Sequence, residues 1–245
     1  MPAAAPDVPN CRELGGIAAA GGRRVRRGVL WRSAHLSGLA ARSRRQLEAL
    51  GLVRVIDLRA PFERAWQPDV PLPGAHAIHV PIEPLIGRHF AKYPEALESM
   101  TAPEMLRLMQ ATYRDFVSGQ VTAARFAAFF EHVLAGAAVP VLFHCTAGKD
   151  RTGMAAALLL LALGSAPQQV MQDYMQSAAH CLPPPGASGA DEQVLRLLWG
   201  VHPDYLGAAL DEIQRLGGVD AYLERVMRLD GAARARLREM YLEAA

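Results

Sequence analysis

The sequence predicts an α/β fold, with a central, mostly parallel sheet flanked by helices and one domain spanning 1–245. Three observations carry this. Short apolar runs of strand length alternate with longer stretches of helical spacing, the pattern of a parallel sheet with helical crossovers. The most apolar strand-like run, Val139–Phe143, is followed by a Gly-containing loop and then by the apolar run Met154–Leu163. With 245 residues, 51% hydrophobic and 20% charged, the chain has the size and composition to bury a full core.

In chain order, residues 1–9 are Ala/Pro-rich and expected to be flexible. Gly21-Gly22 marks a tight turn between Ile17 and Val25, and Val29–Arg32 continues as a strand. Ser43–Leu50 has apolar residues at helical spacing and stops at Gly51. Leu52–Leu58 reads as a buried strand, Pro71–Gly74 as a turn and Ala77–Pro81 as a third strand. Residues 84–118, rich in Met and Leu, read as an insertion able to act as a lid, with a long helix near Ala102–Val117. The Met residues of 100–109 are expected on the core side of that helix. Thr122–Leu134 forms the helix before the central strand. Pro167–Ala179 follows the central helix, then a loop at Leu182–Ala190 and two or three C-terminal helices.

The chemistry concentrates in His144-Cys145-Thr146-Ala147-Gly148-Lys149-Asp150-Arg151-Thr152-Gly153. A loop that leaves a strand and opens a helix turns several backbone N–H groups toward one point, with the helix dipole behind them. That point suits a phosphate dianion. Cys145 lies at the base of the cradle, where the helix dipole and Arg151 are expected to favour a nucleophilic sulfur. A buried small hydrophobe is the ordinary meaning of a lone cysteine, but few such residues precede a glycine turn and an arginine at a helix start. A cation sits badly at the positive end of a helix unless an anion lies between them, so Arg151 is expected to clamp phosphate bidentately. Gly148 and Gly153 let backbone approach the ligand closely.

The run His-Cys-x5-Arg-Thr resembles the signature of the cysteine-dependent protein tyrosine phosphatases. Its Gly-Lys-Asp-Arg version is similar to the atypical bacterial branch, which includes enzymes active on phosphotyrosine, phosphoserine/threonine and phosphoinositides. Asn10–Gly16, Trp31–Ser37 and Val55–Arg59 with Glu63-Arg64 match that branch in order, so nearly the whole chain is covered. The resemblance implies a phosphocysteine on Cys145, clamped by Arg151 and cradled by Thr146, Ala147, Gly148, Lys149, Asp150, Arg151 and Thr152. It implies that the Thr152 hydroxyl donates to the sulfur and that the segment carrying Arg59 lines the pocket and holds a second anionic group. His144 is expected to orient the loop without donating a proton. Lys149 adds charge for polyanionic head groups.

Departure of the leaving oxygen requires a proton from a carboxyl group. No Trp-Pro-Asp occurs in the chain. Asp150 resembles the in-loop aspartate of the bacterial branch and of myotubularin-type lipid phosphatases and ranks first. Asp57, at the end of a buried strand, ranks second, with an ion pair to Arg59 or Arg64 an equal alternative. Glu83 ranks third. Arg12 with Glu13 reads as a structural ion pair.

A net charge of +2 gives no reason to expect nucleic-acid binding, and of 26 basic residues only Lys92 and Lys149 are lysines. Three cysteines make no disulfide framework; Cys11 and Cys181 read as packed thiols, either able to pair with Cys145 if close, and a reducing, cytoplasmic location is expected. No signal peptide and no run of membrane-spanning length is seen, so no integral membrane contact is expected. No cofactor or metal is called for. The expected partner is a phosphorylated protein or phosphoinositide substrate. Two rivals remain: a sulfur transferase, against which Asp150 and the Asn10–Gly16 segment argue, and a non-catalytic phosphate-binding module, against which the paired Cys145 and Arg151 argue.

Overall fold

A computed structural model describes residues 5–183 and 190–244. Its strands are β1 (Arg12–Glu13), β2 (Arg24–Val25), β3 (Leu30–Ser33), β4 (Arg54–Asp57), β5 (His76–His79), β6 (Val141–His144) and β7 (Leu242–Glu243). The helices are α1 (Ala41–Glu48), α2 (Pro61–Trp66), α3 (Leu85–Lys92), α4 (Ala96–Ser99), α5 (Ala102–Ser118), α6 (Gln120–Leu134), α7 (Asp150–Leu163), α8 (Pro167–Met175), α9 (Glu192–Trp199), α10 (Pro203–Arg215), α11 (Gly218–Arg225) and α12 (Gly231–Tyr241). Five strands form the main sheet in the order β1-β3-β6-β4-β5. β3, β6, β4 and β5 are parallel and only β1 is antiparallel to its neighbour. This is the mostly parallel, helix-flanked sheet that the alternating pattern predicts.

Period-two alternation divides the sheet into two faces. Ile56, Val141, Phe143 and Cys145 turn toward the larger core, which holds α7 and the buried sides of α5, α6, α10 and α12. Trp31, Val55 and Leu142 turn the other way, toward Leu47 of α1. Every residue of α7 after Asp150 is buried, so the helix dipole behind the loop runs through the centre of the protein.

Three expectations are corrected. The stretch 84–118 is not a lid as a whole. Met105, Met109, Tyr113, Phe116 and Val117 of α5 are buried in the main core, leaving α3 and α4, which bury no residue, as its surface part. The apolar spacing of 102–117 thus belongs to a core helix. Val8 and Pro9, within the start expected to be flexible, are held in place: Val8 is 5% exposed, packs with Cys11 and Trp31, and Pro9 accepts a hydrogen bond from the Ala34 amide. Residues 1–4 lie outside the described residues. Four helices, not two or three, follow residue 190. The Ile17–Val25 turn closes as expected, and β2 pairs with β7 in a separate two-stranded sheet. The loop expected at Leu182–Ala190 falls, except at its ends, outside the described residues.

Candidate active site

Cys145 follows β6 directly and is 2% exposed; Arg151, in the first turn of α7, is 7% exposed. Between them the chain turns through Gly148 at φ 69°, and a Cβ there would lie 2.5 Å from the Ser33 carbonyl oxygen. Only glycine lets the loop pass the end of β3 this closely.

The upstream segments hold the loop from outside. The Asn10 side-chain amide donates to the carbonyls of Ala147 (3.1 Å) and Gly148 (2.9 Å). Arg32, fully buried, donates to the Gly148 carbonyl at 2.8 Å and pairs with Asp173 of α8. Arg12 pairs with the same aspartate at 2.9 Å. Burial opposes the Asp173 charge, but Arg32 and Arg12 keep its carboxyl below the usual range. The expected Arg12–Glu13 pair is therefore not formed: Glu13 takes Arg27 instead, because neighbouring residues on a strand point to opposite faces.

The partner of Arg151 is Glu63, a residue to which the sequence alone assigns no role in the site. The two guanidinium nitrogens donate to its carboxylate at 2.5 and 2.7 Å, and the Thr146 hydroxyl donates to the same group. The Ala60 amide donates at 2.8 Å, so Glu63 at the third position of α2 also caps its own helix. Burial alone would raise the Glu63 carboxyl; the Arg151, Thr146 and Ala60 donors bring it down to about 2. Arg151 is thus oriented by α2 across the mouth of the loop.

The carboxylates separate by face. Asp57 lies on the side opposite Cys145, bonded by Arg59 at 2.9 and 2.8 Å and 4.0 Å from the ring of His144. Arg59 also meets Asp69 at 2.8 Å and the Gln67 carbonyl at 2.7 Å. Asp57 is therefore not brought to the sulfur, and Arg59, buried and saturated with acceptors, does not hold a second anion. The ion-pair alternative for Asp57 is the arrangement found. His144 is fully buried, with its ring 3.1 Å from Asp69 and 3.3 Å from the Cys145 carbonyl. Asp57, Asp69 and His144 bring ligand atoms within 4.8 Å of one another, a spacing open to a cation, but the Arg59 guanidinium already bonds both carboxylates. Above this cluster lies a cavity of about 610 Å³ with mainly apolar walls.

Asp150, first residue of α7, stays with the loop. Its carboxylate accepts from the Tyr113 hydroxyl at 2.9 Å and lies 3.4 Å from Lys149. Glu83 is exposed and lines a small cleft of about 170 Å³ together with Phe62, Glu63, Pro84, Arg88 and Arg151. The Thr152 hydroxyl is buried without a hydrogen-bond partner among the described residues, so the expected bond to the sulfur is not formed. Gly153 packs against Tyr174: a Cβ there would lie 3.1 Å from its ring.

Lys149 departs most from expectation. It is buried, and its ammonium donates to the carbonyls of Leu198 (2.6 Å) and Gly200 (2.8 Å), where α9 ends. A cation is favoured at a helix C-terminus, so Lys149 ties the loop to α9 and is not free for head groups. Lys149→Met is expected to lower stability by about 1–3 kcal/mol, the cost of leaving buried acceptors unsatisfied. The ratio of phosphoinositide to aryl phosphate turnover should stay unchanged. Thermal unfolding and turnover of both substrates check this; a selective loss of phosphoinositide turnover would restore the head-group role.

Cys181 lies 3.9 Å from the Ala147 carbonyl. Burial pushes its thiol up to about 11, and that of Cys11 to about 12, so both stay protonated near neutrality.

A buried cysteine at the end of a central strand, with a loop and a buried arginine at the following helix start, is the arrangement that the His-Cys-x5-Arg-Thr resemblance implies. Comparison with known proteins agrees: the model of the tyrosine phosphatase family matches residues 3–243, and the chain belongs to that family. A protein of Cupriavidus necator named as a tyrosine-protein phosphatase is 36% identical over 96% of this chain and 86% of its own length. The triple specificity protein phosphatase PtpB of Mycobacterium tuberculosis is 31% identical over 70% of this chain and 67% of its own. Among solved structures, the core catalytic domain of the PP-IP phosphatase SIW14 from S. cerevisiae, in complex with citrate, aligns over 91% of this chain and 96% of that one. The identity there is 16% and the TM-score 0.40. The protein is thus a phosphoric monoester hydrolase. No helix among the described residues is long and apolar enough to cross a membrane.

Proposed function

We propose that the protein dephosphorylates phosphotyrosine, with wider tolerance of phosphoserine/threonine, through a phosphocysteine on Cys145 and with Asp150 as proton donor. The observation that carries this reading is the fixed pair of Cys145 at the loop base and Arg151 held across the mouth by Glu63. The sulfur attacks phosphorus in line, the S–P bond forms as the ester P–O bond breaks, and the leaving oxygen takes a proton from Asp150. Water then attacks the phosphocysteine, the Asp150 carboxylate takes its proton, and thiolate departs. Loop amides and Arg151 meet the charge that develops on the equatorial oxygens.

Phe62 supports an aryl ester as substrate: it is 68% exposed at the rim of the cleft that contains Arg151, where a phenyl ring can stack. Phosphoinositides lose the support expected from Lys149 and Arg59, both already satisfied. Asp150 is favoured over Asp57 by face and over Glu83 by its place inside the loop. Three thiols without a disulfide fit a reducing compartment such as the cytoplasm.

The test is phosphate release from a phosphotyrosine peptide, a phosphoserine peptide and a phosphoinositide by wild type, Asp150→Asn and Glu83→Gln. The expected order places phosphotyrosine first. Asp150→Asn should lose about 10²–10³-fold with poor leaving groups and little with activated aryl phosphates. That loss in Glu83→Gln instead would transfer the acid role, and phosphoinositide turnover above that of phosphotyrosine would reverse the substrate reading.

A further inference from the structure

Asp150 is met from the core side by a tyrosine that the reaction as described does not use. Tyr113 of α5 is fully buried, and its hydroxyl donates to Asp150 Oδ1 at 2.9 Å. The Tyr174 hydroxyl of α8, also buried, lies 2.9 Å from the Tyr113 oxygen. With the Tyr113 proton directed at Asp150, Tyr174 is the donor of that second bond. The tyrosine ring is fixed in turn by edge and tilted contacts with Phe116, Tyr174 and Tyr205, at centroid distances of 5.4, 6.0 and 5.8 Å. The result is a rigid chain, Tyr174 to Tyr113 to Asp150, running from the core to the loop.

We propose that Tyr113 is the positioning residue of the proton donor: by occupying Asp150 Oδ1 it leaves Oδ2 as the oxygen that carries the transferable proton and aims it into the loop. This rests on the reading of Asp150 as the acid. A proton on Oδ1 is the less favourable arrangement, because a carboxyl hydroxyl oxygen accepts the Tyr113 hydrogen bond more weakly than a carbonyl oxygen does. Oδ2 has only a long approach, 3.4 Å, from Lys149, whose other two donors are spent on Leu198 and Gly200. Burial first, and the Asp150 charge next, push the Tyr113 hydroxyl well above its ordinary value, so it remains a donor throughout the working range. In the transfer itself the Oδ2–H bond breaks, the proton joins the leaving oxygen, and the resulting carboxylate keeps the Tyr113 hydrogen bond. The titratable and charged groups facing Asp150 are Tyr113, Tyr174 and Tyr205 from the three helices, Lys149 and Arg151 from its own loop, and Cys181 beyond α8.

Tyr113→Phe keeps the ring packing and removes the hydroxyl. For an alkyl or unsubstituted phenyl phosphate, kcat should fall about 10-fold, while KM and the kcat for p-nitrophenyl phosphate stay within about 2-fold. Loss of a donor to the carboxylate favours its protonated form, so the basic limb of the kcat profile should move to higher pH. Combined with Asp150→Asn, Tyr113→Phe should cost nothing more. Tyr174→Phe, which frees the Tyr113 hydroxyl to rotate, should show a loss of about 3-fold confined to the poor leaving group, and it carries the test if Tyr113→Phe does not fold. Equal losses with both substrates, an unmoved basic limb, or a further loss in the Asp150→Asn background would make Tyr113 a packing residue and overturn the proposal. If Asp150→Asn itself is indifferent to leaving group, the acid reading fails and this one with it. If Asp150→Asn is sensitive and neither Tyr→Phe change is, only this inference falls.

Discussion

Replacing Cys145 by serine is expected to reduce phosphate release by roughly 10⁵-fold while leaving substrate affinity within a few-fold of wild type. The two halves of this prediction have different origins. The sulfur forms the covalent bond, and a serine hydroxyl in its place, with no adjacent base to take its proton, is a far weaker nucleophile. Binding rests on the loop amides and on Arg151, which the substitution does not touch. Cys145 is 2% exposed and packed among apolar core residues, and serine is nearly isosteric, so the fold should survive. Turnover, competitive binding of a phosphotyrosine peptide and thermal unfolding check the three parts. Loss of binding along with turnover would mean that the loop had collapsed and that the nucleophile had not been tested.

The second large effect is expected at Glu63. Removing its charge in Glu63→Gln leaves a guanidinium at 7% exposure with its principal acceptor weakened. Breaking a buried pair by removing one partner costs about 3–5 kcal/mol. The same step frees Arg151 from the plane in which it can clamp phosphate, so kcat/KM should fall about 10²–10³-fold. The pH dependence carries the same sign. The Glu63 carboxyl is held at about 2 against an ordinary 4.5. Its contribution to stability is therefore present above about pH 4.5 and lost as pH falls toward 2. Wild type should lose on the order of 3 kcal/mol from this group across that window, and Glu63→Gln should lack that part of its acid sensitivity. Denaturant unfolding at several pH values, on both proteins, measures the difference. Equal acid sensitivity would place the stabilisation elsewhere.

Much of the fold and the centre of the site were legible in the sequence. Val141–Phe143 and Met154–Leu163 are apolar because they are buried on all sides, and the loop between them can only be the strand-to-helix turn that presents Cys145 and Arg151. What was not legible depended on contacts distant in sequence. Glu63 and Arg151 are 88 residues apart, and in its own segment Glu63 is indistinguishable from a solvated acid beside Arg59 and Arg64. One local signal was available: Glu63 follows Pro61 at the third position of a short helix, where its carboxylate turns back to the helix start and toward the loop. Asp57 and Arg59 failed through parity. Both belong to a segment that reaches the correct end of the sheet, yet Asp57 shares the face of Val55, opposite Cys145, and only the register against His144 reveals this. Lys149 was misread because a lysine in a phosphate loop suggests an anion, while its actual acceptors lie at the end of α9, some 50 residues on. In 84–118 the core side expected for the Met residues of 100–109 is found at Met105 and Met109, but the spacing of Met105, Met109, Phe116 and Val117 fits a core helix and a lid underside equally well, and only the packing partner, α10, distinguishes them.

The most direct test of the account is to capture the covalent intermediate. Wild-type protein should be mixed with an activated aryl phosphate, quenched in acid during steady turnover, digested and analysed by mass spectrometry. The account predicts one added phosphoryl group on the peptide containing Cys145, accumulating before quench and absent in Cys145→Ser. Steady turnover with no phosphoryl group on Cys145, or with the label on another residue, would contradict it.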